Sequence, residues 1–318
     1  MMKFSVVITY YPEDKTPEVL ESIEKLDYSK EEYEILDLPG KGSPSIYRNK
    51  GGDNGKGEII AFIDDDAIVH PKLLQNAEKF FNEHPEIDIV GGPQLTPKDE
   101  KGFARISGYA LSSKFGGWNT SSRYERKKLN LDADDIYLTT AIMFCKKNVF
   151  KKVRFDENLF PGEDSKFVRE AREKGLKVAY SPDLIVYHRR RPTIKKFVKQ
   201  IFSYGEMAPA QETASEILSR PYFLFPSILL IYLTVLLSGI IINSQLLTYM
   251  HGILRNDFTF PSLIFLPLLI YLTLNLIFSV YESLRNKDLR GILFLPAIFP
   301  LLHLSYGAGM IYGLLKGE

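Results

Sequence analysis

Two patterns of apolar and polar positions share this chain and change over near residue 220. In the first part, short β-branched apolar runs alternate with segments whose apolar residues recur at helical spacing. Phe4–Thr9 reads as a strand, and Glu18–Leu26, entered after Pro17, as a helix. The unit then recurs. Tyr33–Leu36, Glu58–Ile63 and Ile87–Val90 read as strands, with helices over Pro44–Gly52 and Pro71–Phe81 between them. Such alternation predicts a mostly parallel sheet of right-handed βαβ units, which binds ligands at the carboxyl ends of its strands. Further on, Ile136–Cys145 reads as a strand and Ser165–Lys174 as a helix ended by Gly175. Lys177–Tyr180 and Leu184–His188 form two short strands around Ser181-Pro182. Residues 193–219 form a basic amphipathic helical stretch, expected at a membrane interface.

The second pattern is uniformly apolar. No charged residue occurs from Pro221 to Leu254, from Phe258 to Tyr281, or from Gly291 to Leu315. A hydrocarbon core roughly 30 Å thick takes about 20 helical residues to cross. Three such runs in succession read as membrane spans rather than buried core helices. Pro226, Pro261, Pro267, Pro296 and Pro300 are compatible with spans, because neighbouring helices satisfy the freed backbone groups. The expected organisation is an α/β domain over 1–192, an interfacial segment over 193–220, and a transmembrane domain over 221–318 with helices at 221–243, 260–281 and 291–315.

Composition changes the picture only once it is divided. The average of 25% charged and 45% hydrophobic residues is that of an ordinary soluble protein, yet residues 221–318 hold only nine of the 79 Asp, Glu, Lys and Arg residues. A net charge of +1 provides no field to attract nucleic acid. The single cysteine, Cys145, excludes an intrachain disulfide and a cysteine-based metal site. The apolar stretch at the start is too short for a signal peptide, so the first domain is expected in the cytosol. Loop charges favour the same orientation: Lys195, Lys196, Lys199 and Arg220 precede the first span, the first loop offers Arg255, and the second has Arg285, Lys287 and Arg290. This predicts an integral membrane protein whose Lys316-Gly317-Glu318 tail lies outside. His251 and His303, isolated in apolar runs, read as packing or interface residues, and the spans as a lipid-contacting anchor without a polar pathway.

The candidate chemistry lies in the first part. Ala61-Phe62-Ile63-Asp64-Asp65-Asp66 is an apolar strand that ends in three carboxylates. Adjacent like charges repel, and a hard divalent ion such as Mg²⁺ or Mn²⁺ resolves the repulsion by bridging carboxylates and phosphate oxygens. Alternate strand residues share a face, which puts Asp64 and Asp66 together. A solvated acidic turn would read the same way locally.

The surrounding motifs narrow the choice. Gly42-Ser43-Pro44-Ser45-Ile46-Tyr47-Arg48-Asn49-Lys50-Gly51 is followed by Gly57-Glu58-Ile59-Ile60, which runs into the acidic strand end. Downstream come Phe155-Asp156-Glu157-Asn158-Leu159, Gly162-Glu163-Asp164-Ser165, Gly175-Leu176-Lys177-Val178 and His188-Arg189-Arg190-Arg191. In order and spacing, across about residues 4–205, the chain resembles the family-2 glycosyltransferases. Their hallmark is a glycine-rich turn, an Arg-Asn-x-Gly helix, a Gly-Glu-Ile-Ile strand and an Asp-x-Asp end. The resemblance implies a GT-A domain, the Rossmann-like fold of nucleotide-diphospho-sugar transferases, followed here by an α-helical transmembrane region.

What it implies for the site is specific. Asp64 and Asp66 would hold Mn²⁺ or Mg²⁺, which neutralises the donor diphosphate as it leaves, with His188 as a third metal ligand or a diphosphate contact, a structural histidine being equally open. Thr9, Tyr10, Asp37, Arg48, Asp64, Asp65 and Arg191 would face the nucleotide-sugar donor. Arg189 and Arg190 would suit donor or lipid phosphates alongside Arg191, since guanidinium grips phosphate with paired hydrogen bonds. Glu163 and Asp164 match the family's catalytic acid pair, with Asp164 as the base that takes the acceptor's proton; Asp164 would also serve as a helix cap. Trp118, in Phe115-Gly116-Gly117-Trp118-Asn119, falls where the family recognises acceptors, and a packing role is equally open. Cys145 reads as core.

Departures from the family pattern matter as well. Thr9-Tyr10-Tyr11 stands where many relatives have Thr-Tyr-Asn, and Asp37-Leu38-Pro39-Gly40 where many have Asp-Asp-Gly-Ser, so the base pocket is altered. No Gln-x-x-Arg-Trp motif of processive synthases occurs, which favours transfer of one sugar. The expectation is an inverting transferase acting at the cytosolic membrane face on a lipid-linked or polyprenyl-phosphate acceptor. Its rivals are a catalytically silent membrane-tethered scaffold and a sugar nucleotidyltransferase. The latter needs a basic glycine-rich loop after the first strand, where this chain has Thr9-Tyr10-Tyr11-Pro12.

Overall fold

The computed structural model describes residues 2–11, 18–211, 217, 220, 223–242 and 260–316. The chain forms two compact units, one of Met1–Gly108 with Asn119–Arg191 and one of Tyr109–Trp118 with Pro192–Glu318.

In the first unit, β1 (Phe4–Tyr10), α1 (Glu18–Ile23), β2 (Tyr33–Pro39), α2 (Pro44–Asn54) and β3 (Ile59–Asp64) follow the expected alternation. β4 (Ala67–Val69), α3 (Leu73–Glu83), β5 (Ile89–Gly91) and β6 (Gln94–Leu95) come next. The main sheet has the order β2-β1-β3-β7-β5-β8, where β7 is Ile142–Lys146 and β8 is Val178–Tyr180. A small second sheet has the order β4-β9-β6, with β9 at Val186–His188.

Both faces of the main sheet are covered, which explains why its central strands are continuous apolar runs. Along β1 and β3, Phe4, Val6, Ile8, Ile59, Ala61 and Ile63 enter one core, while Val7, Ile60 and Phe62 enter the other. The second core is aromatic: Phe155 stacks on Phe167 at 4.1 Å and meets Phe62 edge-on at 5.2 Å.

The sheet is mixed, not wholly parallel. β1 runs parallel to β2 and β3, but β7 is antiparallel to both of its neighbours, β3 and β5. The strand expected over Ile136–Cys145 is also shorter. Its first residues form turns because Asp134 captures the chain: its carboxylate accepts from the Ile136 amide at 3.1 Å and its carbonyl from Tyr137 at 3.2 Å. Asp commonly folds back on following amides in this way and competes with strand pairing. β4 and β6 were not foreseen, since two or three residues carry no readable period.

Helix α4 (Gly102–Ser112) and the one-turn helix α5 (Lys114–Gly117) precede a 3₁₀ segment over Trp118–Arg123. Helix α6 (Glu163–Glu173) starts two residues earlier than expected. Its entry is made by Gly162 at φ 109°, a left-handed conformation that glycine adopts without steric penalty.

The second unit contains α7 (Ile194–Gln211), α8 (Phe225–Ile242), α9 (Leu266–Arg285) and α10 (Arg290–Lys316). Three stretches, Phe225–Ile242, Leu263–Arg285 and Arg290–Lys316, are long and apolar enough to cross a membrane. The buried residues of α9 are Tyr271, Asn275, Ser279, Glu282 and Ser283, while Leu272, Leu276, Ile277 and Leu284 are exposed. Polar inside and apolar outside suits an apolar solvent, where hydrogen bonds and small residues join helices. α7 packs against α10 so closely that a Cβ on Gly309 would stand 2.0 Å from the Phe202 carbonyl. His251, Arg255 and the first connecting loop lie outside the described residues.

Candidate active site

The site of the first unit is assembled by register. β1 aligns Ile8 with Asp37 on β2 and Thr9 with Asp64 on β3, so the three parallel strands end flush. Thr9, Tyr10, Asp37 and Asp64 therefore share one edge of the sheet, and the Tyr10 hydroxyl donates to Asp37 at 3.4 Å.

The acidic turn continues from Asp64 directly into β4, which pairs antiparallel with β9 and sets Ala67 opposite His188. That pairing brings a histidine from far along the chain onto the aspartates. His188 Nε2 lies 3.0 Å from Asp66 Oδ1 and 3.6 Å from Asp64 Oδ2, and its Nδ1 faces the Arg189 carbonyl at 3.0 Å. One atom from each of Asp64, Asp66 and His188 falls within 4.8 Å of the others, a set that could hold a metal ion. Two carboxylates and one imidazole are donors that divalent ions such as Mn²⁺ or Mg²⁺ accept, and three protein ligands fall short of a six-coordinate shell.

Electrostatics bind the three residues together. Burial disfavours a charged imidazole, but hydrogen bonds to Asp64 and Asp66 outweigh it and raise the His188 pKa to about 9. Burial would push Asp66 up, yet His188 and then Arg191 hold it below the usual carboxylate range. Arg191 Nη1 approaches Asp66 at 4.0 Å. Between Asp64 and Asp66, the backbone carbonyl of Asp65 accepts from the Val19 amide at 3.2 Å, which ties the turn to the start of α1.

The Arg-Asn-x-Gly motif on α2 divides its labour. Arg48, buried, places Nη1 2.5 Å from Glu163 Oε1 and Nη2 3.5 Å from Asp64 Oδ1. Asn49 clamps the segment that leads to α6: its amide nitrogen donates to the Phe155 carbonyl at 2.9 Å and to Glu157 at 3.0 Å, and its oxygen accepts from the Phe155 amide. Gly51 lets α2 close on the sheet, since a Cβ there would stand 2.5 Å from Val7.

Glu163 and Asp164 occupy the first turn of α6, where carboxylates are favoured by the helix dipole. Their environments differ. Glu163 is 4% exposed and paired with Arg48, whereas Asp164 is half-buried and accepts from the Ser165 amide at 2.8 Å. Burial raises the Glu163 pKa most, Arg48 opposes it and Asp164 adds to it, with the result pushed up to about 7. The cap position belongs to Gly162, so capping is not the role of Asp164.

Three further placements bear on the expected site. Arg189 pairs with Glu18 and Asp99, and Arg190 is buried with its guanidinium donating to Gln94 and Thr96, so among the three arginines Arg191 is the one against the acidic turn. Arg123, not anticipated, donates to the Asp135 and Ile136 carbonyls and to Ser165 at 3.1 Å, tying the 3₁₀ segment to the first turn of α6. Nothing short of its partners' positions marks it in the sequence. Trp118 belongs to the second unit and is 56% exposed.

Comparison with known proteins converges on one family. Residues 1–203 match the family described as glycosyltransferase like family 2. A Methanococcus voltae protein, dolichyl N-acetyl-alpha-D-glucosaminyl phosphate 3-beta-D-2,3-diacetamido-2,3-dideoxy-beta-D-glucuronosyltransferase, is 23% identical across 99% of this chain and 98% of its own length. The minor teichoic acid biosynthesis protein GgaB of Bacillus subtilis is 34% identical over 130 residues, which span 40% of this chain and only 13% of that protein. Among solved structures, a mannosyltransferase from Pyrobaculum calidifontis in complex with GDP-Man and Mn²⁺ aligns over 99% of this chain and 88% of its own, with a TM-score of 0.60 at 14% identity, a likeness of fold.

Proposed function

The chain belongs to glycosyltransferase family 2, and on that premise we propose that it is a metal-dependent, inverting, membrane-attached enzyme. It moves one sugar from a nucleotide-diphosphate sugar to a lipid-linked or polyprenyl-phosphate acceptor at the cytosolic membrane face. The observation that carries the reading is the convergence of Asp64, Asp66 and His188 at the carboxyl edge of the sheet, beside the buried Arg48–Glu163 pair.

In this reading Asp64, Asp66 and His188 would hold Mn²⁺ or Mg²⁺, His188 as the neutral imidazole once the ion displaces its proton, and the ion would supply positive charge to the leaving diphosphate. Thr9, Tyr10 and Asp37 line the nucleotide side of the edge, with Asp65 in the turn, and Arg191 adds a guanidinium near the phosphates. Arg48 keeps Asp64 and the first turn of α6 in fixed relation. Asp164 takes the acceptor hydroxyl's proton as oxygen attacks the anomeric carbon from the face opposite the leaving group, which inverts configuration. Glu163, enclosed and paired, orients that turn and raises the electrostatic cost of a second nearby charge. Support for a lipid acceptor comes from the three apolar helices and from the dolichyl phosphate in the name of the full-length relative.

The deciding experiment screens the detergent-solubilised protein against a panel of nucleotide sugars, with Mn²⁺ or Mg²⁺ and a polyprenyl-phosphate acceptor. Transfer from one donor, lost in Asp66→Ala, is expected. Binding of a nucleotide sugar without transfer or hydrolysis under any condition would instead leave a silent scaffold.

A further inference from the structure

The helical unit contains a hydrogen-bonded relay to which the transfer chemistry gives no role. His303 on α10 is buried between two partners: Nδ1 lies 2.9 Å from the Tyr271 hydroxyl on α9, and Nε2 lies 2.8 Å from the Phe115 carbonyl. A carbonyl can only accept, so Nε2 carries the proton and Nδ1 accepts from the tyrosine. The Phe115 ring is wedged between the same helices, stacked on Phe278 at 5.2 Å and edge-on to Phe299 at 5.0 Å. The preceding turn is tied down as well, since the Tyr109 hydroxyl donates to Asp288 at 3.1 Å. A segment remote in sequence from these helices is thus held among them at several points.

A third helix meets the relay. Phe225, the first residue of α8, has its ring 6.1 Å from that of His303 and 6.5 Å from that of Tyr271. The relay therefore joins all three apolar helices, and His303 stands midway along α10, which is long and apolar enough to cross a membrane. Trp118 follows α5 directly. It is the chain's single tryptophan, it is 56% exposed, and its φ of 47° is left-handed. A bulky residue keeps such a backbone only where its surroundings hold it, and such strain gathers at ligand clamps.

We propose that His303 is a positioning residue: through the Phe115 carbonyl it fixes the Lys114–Gly117 turn so that Trp118 forms an aromatic platform for the isoprenoid chain of a membrane-borne acceptor. An indole offers a broad, rigid apolar face on which such a chain can lie. The inference rests on the lipid-acceptor reading above but locates the acceptor's chain on particular residues. His303→Leu removes the donor to Phe115, His303→Gln retains an N–H in its place, and Tyr271→Phe removes only the hydroxyl that orients the ring.

Because Trp118 is the sole tryptophan, its fluorescence reports the turn without any need for activity. Full-length protein in phosphatidylcholine vesicles with and without polyprenyl phosphate is the system to use. In the wild type, polyprenyl phosphate should shift Trp118 emission to the blue and shield it from acrylamide; His303→Leu should lose the response, His303→Gln should keep it, and Tyr271→Phe should weaken it. In transfer assays His303→Leu should raise the acceptor KM about tenfold with kcat and donor KM within about twofold, the signature of lost binding rather than lost chemistry. If His303→Leu does not fold, the same readouts on Tyr271→Phe decide. A folded His303→Leu, or in its place a folded Tyr271→Phe, with unaltered Trp118 response and acceptor KM overturns the proposal. Absence of transfer from every nucleotide sugar would overturn the proposed function instead, and the fluorescence response would still judge this inference.

Discussion

Arg48 on α2 and Glu163 on α6 form a buried ion pair, Nη1 to Oε1 at 2.5 Å, between residues 115 positions apart. The pair joins the two halves of the site, because the same guanidinium reaches Asp64 at the end of β3. A planar, forked cation can serve two carboxylates at once, and an ammonium cannot reproduce that geometry. Arg48→Lys is therefore expected to fold yet lose about 1.5–3 kcal/mol of charge-assisted hydrogen bonding. If that alignment is needed in the transition state, kcat falls about tenfold or more. Steady-state kinetics with saturating donor test this, and an unchanged kcat would reduce Arg48 to a packing residue.

The metal prediction follows from three ligand atoms within 4.8 Å. EDTA and Asp66→Ala should each abolish turnover, and excess Mn²⁺ or Mg²⁺ should restore the first but not the second. Isothermal titration with the nucleotide sugar, with and without the ion, separates lost binding from lost chemistry. Full activity in EDTA would remove the ion from the mechanism.

Much of this site was legible because its residues announce themselves locally. Asp64, Asp65 and Asp66 end an apolar run, and Arg48 and Asn49 sit at fixed offsets from Gly51. What stayed hidden depends on pairing. The union of His188 with the aspartates is made by β4 against β9, three residues each, too short to show a period. The reversal of β7 was invisible because a strand reads alike in either direction. The placement of Tyr109–Trp118 with the helices was hidden too, since nothing local shows that Phe115 packs on residues some 160 to 190 positions away.

Stability should depend on pH through Glu163. Its folded pKa is raised from 4.5 to about 7. The folded state therefore holds the proton more tightly than the unfolded one. The resulting stabilisation is fully present below about pH 4.5 and is lost as pH rises through about 7. A single proton limits the slope to about 1.4 kcal/mol per pH unit. Thermal melts of wild type and Glu163→Gln in lipid nanodiscs should diverge over this window, with the variant flatter. Parallel curves would mean that Arg48 keeps Glu163 ionised throughout.

Orientation is tested by labelling, motivated by Arg255 in the first loop against Arg285, Lys287 and Arg290 in the second. A cysteine at Asn256 should react with an impermeant reagent from outside intact cells, and one at Asn286 should not. The native Cys145 is buried and should stay silent. The reverse pattern would place the catalytic domain on the other side.

The sharpest prediction concerns Asp164. It is half-buried in the first turn of α6, next to a glutamate that is enclosed by Arg48 and so poorly placed to meet a substrate. A general base acts only as the new bond forms, because the acceptor hydroxyl becomes acidic enough to release its proton only then. Removing it should lower kcat by roughly 10²–10⁴-fold and leave donor affinity nearly intact. The side chain's structural contact is slight: one oxygen accepts from the Ser165 amide at 2.8 Å, and an asparagine oxygen can do the same. Asp164→Asn should therefore fold, insert and bind nucleotide sugar with metal, but transfer almost no sugar. A variant that keeps more than about a tenth of the wild-type rate would move the base elsewhere, and Glu163→Gln in an Arg48→Met background, which frees the buried site of both charges, would then show whether Glu163 takes the proton.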